Sequence, residues 1–256
     1  MNAEIYISPQ LDELARKREE LALLESVLAD RELSLANLRA ELAAFEGRYL
    51  RQIGVLYAEL DDWTARLAEL AAADAGTPQA QSAAAQARAQ AQDSYAASHG
   101  EASTAEEFWP QPELKKLFRE VCNQVHPDRA ATEPDRDLRE KLMAQANAAY
   151  KRQDADALRR VLEEYKFRPD AAPGGGSAAE RERVIRQIQR ITRRLGEIEA
   201  EIAALTSAEI AKLMAKVQGE AAKGRDLMDE MARSIRMRIE QAREEFQEHA
   251  ATERVR

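Results

Sequence analysis

Cysteine is nearly missing: Cys122 stands alone in 256 residues. That excludes an internal disulfide, and one cysteine with three scattered histidines has no zinc-ligand spacing. Aromatic residues are also scarce, at 5% of the chain. Val, Ile, Thr, Tyr, Phe and Trp nowhere alternate with period two, so no β-sheet is expected. No stretch approaches the roughly eighteen apolar residues that a membrane-spanning helix needs. Residues 1–8 lack the basic start and apolar run of a signal peptide. Basic charge is not in excess either: a formal net charge of −8 argues against generic nucleic-acid binding, which needs a basic face for phosphate. No phosphate loop, catalytic triad or metal cluster is found, so no catalytic residue, cofactor or metal site is expected and the chain reads as non-enzymatic. Together these absences fit the reducing cytoplasm.

What the chain has instead is charge and helix formers. Asp, Glu, Lys and Arg make up 33% of it. With Ala, Leu and Gln in a seven-residue rhythm, this is the composition of long helices, and the expected fold is all-α. Residues 1–72 form a first arm. Pro9 suits a first helical turn with Ser8 as N-cap. Leu21, Leu24, Leu28, Leu35, Leu38, Leu42, Phe45 and Tyr49 follow a heptad seam, resumed by Ile53, Leu56, Leu60, Trp63, Leu67 and Leu70. Phe45, Tyr49 and Ile53 lie two successive fours apart, a stutter that locally unwinds a supercoil. Residues 178–256 form a second arm, opened by Ser177 in N-cap position. Val184, Ile188, Ile191, Leu195, Ile198, Ile202 and Leu205 keep a strict seam, which slips at Thr206 and Ser207, where Thr206 and Glu209 have capping-box spacing. Ile210, Leu213, Val217, Leu227, Met231, Ile235 and Phe246 continue it more loosely, thinned by Gly219 and Gly224. Each arm, on the order of 100 Å at 1.5 Å per residue, carries an apolar stripe that needs a partner. The simplest arrangement is an antiparallel coiled-coil hairpin. A homodimeric four-helix assembly would bury more of the stripe and is the alternative.

Residues 73–105, rich in Ala, Gln and Ser, open with Gly76, Thr77 and Pro78 and lack an apolar stripe. They are expected to be a tether of frayed helix or disordered chain. Residues 169–177, with Pro169, Pro173, Gly174, Gly175 and Gly176, are the matching linker. Between them, residues 106–168 stand apart as a compact unit. Pro112 opens a helix whose core face is Leu114, Leu117, Phe118, Val121 and Val125, while Lys115, Lys116 and Arg119 present positive charge to solvent. That helix must end by His126, because Pro127 disfavours helical geometry in the residue before it. A polar loop from Arg129 to Arg136 leads to a second helix from about Leu138, with Leu142, Ala146 and Tyr150 on one face. Asp154 in N-cap position starts a third helix through Leu158, Val161, Leu162 and Tyr165. Cys122 reads as a small packed hydrophobe, Trp63 and Tyr57 as packing, and His99 and His249 as solvated. The arginines between 181 and 194 read as a solvated face.

Leu114-Lys115-Lys116-Leu117-Phe118-Arg119 before His126-Pro127-Asp128, with Asn147-Ala148-Ala149-Tyr150 after it, resembles the second and third helices of a J domain and their connecting loop. The resemblance covers the central unit alone and starts at the family's second helix. Phe108 and Trp109 leave too few residues for the first, and these rings are expected to cap the open core. The resemblance implies a co-chaperone whose helix and His-Pro-Asp loop dock on a DnaK-type chaperone and stimulate its ATPase. In that docking Lys115, Lys116 and Arg119 would steer toward an acidic partner surface. Pro127 would fix the loop, Asp128 would offer a carboxylate to a partner arginine, and His126 would orient the loop by hydrogen bonding. The expected partners are a DnaK-type chaperone and a client or docking protein held by the coiled coil. The alternative is a non-enzymatic coiled-coil scaffold whose J-like tip leaves the chaperone unstimulated.

Overall fold

The computed structural model of the protein describes residues 9–100, 107–166 and 177–253. Among them every regular element is a helix, and the chain is all-α. The cap Ser8 and residues 169–176 of the expected linker lie outside the described residues. α1 (Pro9–Tyr49), a π-helical turn (Leu50–Gly54) and α2 (Val55–Ala75) follow one another directly. α3 (Pro78–His99) precedes the central helices α4 (Pro112–Val125), α5 (Glu133–Lys151) and α6 (Ala155–Lys166). α7 (Ser177–Ser207), α8 (Glu209–Ala221) and α9 (Leu227–Glu253) close the sequence of elements. Contacts group the chain into two compact units, residues 1–40 with 108–206 and residues 41–107 with 207–256, which cut across the arms and linkers of the sequence.

In the unit containing α2, the π-turn falls where the seam slips. A π-turn holds one more residue than an α-turn, and with it Phe45, Ile53 and Leu60 share one core with Val217, Met228, Ile235 and Ile239. Trp63 and Tyr57 pack against that core. α9 runs parallel to α2, because Arg243 meets Glu59 at 3.4 Å and Phe246 meets Trp63 edge-on at 5.7 Å. The expected tether is instead an ordered helix. Gly76, at φ +62°, closes α2, and the Thr77 hydroxyl accepts from the Ala80 amide to open α3. The stripe of α3 is made of small residues seven apart, Ala84, Ala91 and Ser98, all buried. Gly54 faces Ser98, and a Cβ added there would lie 3.4 Å from Ser98 Cβ, an ordinary van der Waals contact. Arg88 pins the pair by donating to Glu69 (2.8 Å) and Asp62 (2.7 Å), so α3 returns antiparallel along α2.

In the other unit, α1 and α7 share a core of Leu28, Leu35, Ile191 and Ile198. Their ion pairs climb together: Arg18 with Glu180, Glu32 with Arg194 and Arg39 with Glu201. The pair is parallel, not the antiparallel hairpin that matched arm lengths suggest. A heptad seam reads the same in either direction, so matched lengths do not fix the sense of pairing. The slip after Leu205 is a real break, at Ala208 with ψ 147°. Thr206 does not cap it, since its hydroxyl donates back to the Ile202 carbonyl at 2.7 Å.

Helices α4, α5 and α6 build the central core from Leu114, Phe118, Val121 and Val125, Leu142, Ala146 and Tyr150, and Leu158, Val161 and Leu162. Leu117, expected in that core, is only half-buried. α5 begins at Glu133, earlier than the spacing suggests, because the Thr132 hydroxyl accepts from the Asp135 amide. Asp154 caps α6 through the Ala157 amide at 2.9 Å. Phe108 closes the core edge-on against Tyr150 at 5.7 Å, whereas Trp109 is 73% exposed.

Candidate functional site

His126 ends α4 in extended backbone, as a residue before proline must, and Pro127–Arg129 form one 3₁₀ turn. The Asp128 amide donates to His126 Nδ1 at 3.1 Å. With Nδ1 accepting, the neutral ring carries its proton on Nε2, which donates to Glu32 Oε1 at 3.2 Å. Arg139 holds the other side of the turn. It donates to the carbonyls of Gln124 (2.9 Å) and His126 (3.3 Å), and so caps the end of α4. Asp135 (2.9 Å) and the Tyr165 hydroxyl position its guanidinium in turn.

The loop reads as polar and exposed in the sequence, and here the structure differs. His126 is only 4% exposed and Asp128 only 8%. Helices of the same unit cover them. Gln187 of α7 donates to the Arg129 carbonyl at 3.1 Å. Arg190 donates to the carbonyls of Asp128 (3.3 Å) and Ala130 (2.8 Å). From α1, Glu32 takes His126, and Glu25 pairs with Arg129 at 2.9 Å. Lys115, Lys116 and Arg119 keep the outer face of α4, with Arg119 paired to Asp30 of α1. Tyr150 also reaches α1, its hydroxyl donating to Asn37 at 2.7 Å.

Glu32 is the electrostatic centre of this arrangement. Burial pushes its carboxyl up, but hydrogen bonds from His126 and Arg194 (2.9 Å) outweigh that and hold it below the usual carboxylate range. Burial works against the charge of Arg194 as well, and its bonds to Glu32 and to Glu201 (3.1 Å) more than restore it. Burial pushes the Cys122 thiol far up, which leaves it an inert packed group. Beside the loop opens a polar hollow of about 270 Å³ lined by His126, Asp128, Arg136, Asn147 and Arg193.

All six predicted partner-binding residues belong to this one module, but they divide into an outer basic face and a covered loop. Glu32, Gln187, Arg190, Arg194 and Arg139 were not foreseen as part of it. The arginines between 181 and 194 read as a solvated face in the sequence, yet Arg190 and Arg194 are both half-buried against the loop or its partner Glu32. Nothing in an Arg- and Glu-rich helix tells which charges meet a distant loop. Among the described residues no helix is long and apolar enough to cross a membrane, and no group of His, Cys, Asp and Glu could hold a metal ion. No protein-family model, no curated protein and no solved structure matches the chain.

Proposed function

We propose that the protein is a J-domain-like co-chaperone that stimulates the ATPase of a DnaK-type chaperone through α4 and the His126-Pro127-Asp128 loop. The observation that supports this reading is the α4–α5 hairpin with that tripeptide at its turn, His126 Nδ1 fixing the Asp128 amide. Lys115 and Lys116 stand on the outer face of α4, where they would speed encounter with an acidic surface. Asp128 would give a partner arginine a charge-assisted hydrogen bond, roughly twice as strong as a neutral one. The paired long helices would hold a client or docking protein. The test is ATP hydrolysis by a DnaK-type chaperone with and without the full chain. Stimulation by the wild type, lost in Asp128→Asn, is the expected result; absence of stimulation by the wild type and by every variant with a freed loop contradicts the reading.

A second reading, a scaffold with an inert J-like module, draws on the burial of His126 and Asp128. Under it the wild type and every variant of the loop and its covering helices leave the chaperone's rate unchanged.

A further inference from the structure

The co-chaperone reading needs the loop at a partner's surface, and the chain's own helices hold it from two sides. α7 takes its backbone, with Gln187 and Arg190 donating to the three successive carbonyls of residues 128 to 130. α1 takes its side chains and their neighbours: Glu25 holds Arg129, Asp30 holds Arg119 and Glu32 holds His126. Glu25, Ala29 and Glu32 fall at i, i+4 and i+7, one face of α1, and Ala29 and Glu32 are buried there. α1 therefore presents acidic groups to the loop and to Arg119, one of the three basic residues that an acidic chaperone surface would engage.

We propose that α1 and α7 form an autoinhibitory clamp on the His126-Pro127-Asp128 loop, α1 standing in for the acidic face of the chaperone, so that docking requires loop and clamp to part. This rests on the co-chaperone reading of the same loop. Two features make the parting feasible. The core that Leu28 and Leu35 share with Ile191 and Ile198, with the partly buried residues packed on it, comes from α1 and α7 alone, without the loop. Glu32 also keeps Arg194 when His126 leaves, so opening does not strand a buried charge.

The test uses the full chain as wild type, Glu32→Gln and Arg190→Gln. Glu32→Gln removes the charged acceptor; Arg190→Gln releases the carbonyls and leaves Glu32 intact, which covers the case where the first variant folds poorly. Amide hydrogen exchange is followed at Asp128 and its loop neighbours, and chaperone ATP hydrolysis is titrated with each protein. The clamp predicts faster exchange at the Asp128 amide in both variants. It also predicts half-maximal stimulation at about tenfold lower concentration, the shift expected when a charge-assisted hydrogen bond leaves a closed–open equilibrium. Unchanged loop exchange in both variants overturns the clamp. So does a wild type that stimulates as strongly as both variants, and that result leaves the co-chaperone reading standing. Faster exchange with no stimulation by any of the three proteins overturns the inhibitory role together with the co-chaperone reading.

Discussion

At the scale of single residues, Glu32 and Phe118 show two ways in which burial is stabilised. Phe118 is fully buried, its ring 4.4 Å from that of Tyr150, and its place was legible because apolar spacing on α4 has a direct physical meaning. Phe118→Ala is expected to cost about 3–5 kcal/mol through lost contacts and a cavity, measured as a fall in the denaturation midpoint of the unit. Glu32 was not legible, since one glutamate among many gives no sign that it will be buried against a loop 94 residues away. Its folded pKa is lowered, so the unfolded chain takes up the proton first as pH falls. The contribution is present above the ordinary carboxylate value, about 4.3, and is lost as pH falls through the lower folded value. The stability gap between wild type and Glu32→Gln should therefore narrow as pH drops from about 6 to about 3. A gap that stays constant over that range would contradict the ion-pair account of Glu32.

At the scale of elements, helix spacing predicted α4 closely, from Pro112 to its end before Pro127, because proline constrains the backbone whatever surrounds it. α3 escaped the same reasoning. Its buried face is Ala84, Ala91 and Ser98, and a stripe of small residues carries no apolar signal in the sequence. Ala91→Leu is expected to cost about 1–3 kcal/mol by overpacking that face. Thermal unfolding followed by circular dichroism would register it, and an unchanged melting curve would mean that α3 does not depend on close packing. The direction of pairing was also hidden, because a heptad seam is the same read up or down. Cysteines placed at 18 and 180 should be joined by a short bis-maleimide, whereas cysteines at 18 and 201 should not. Cys122 is buried and its thiol is pushed up, so it will not compete. Joining of the second pair alone would overturn the parallel register.

At the scale of the whole molecule, the linear order of arm, tether, module, linker and arm gives way to two units assembled from separate stretches. Composition announced the helices, and apolar spacing with Pro127 announced α4; neither could announce that residues 25 to 32 and 187 to 194 close over the loop. We propose that this loop acts on a DnaK-type chaperone and that its own helices hold it back. The most direct measurement is single-turnover ATP hydrolysis by that chaperone with four full-length proteins: wild type, Glu32→Gln, Asp128→Asn and the double variant. The account predicts that Glu32→Gln stimulates more strongly than wild type and that both proteins carrying Asp128→Asn are silent, because the gain passes through the Asp128 carboxylate. Equal rates with all four proteins and with none would contradict it.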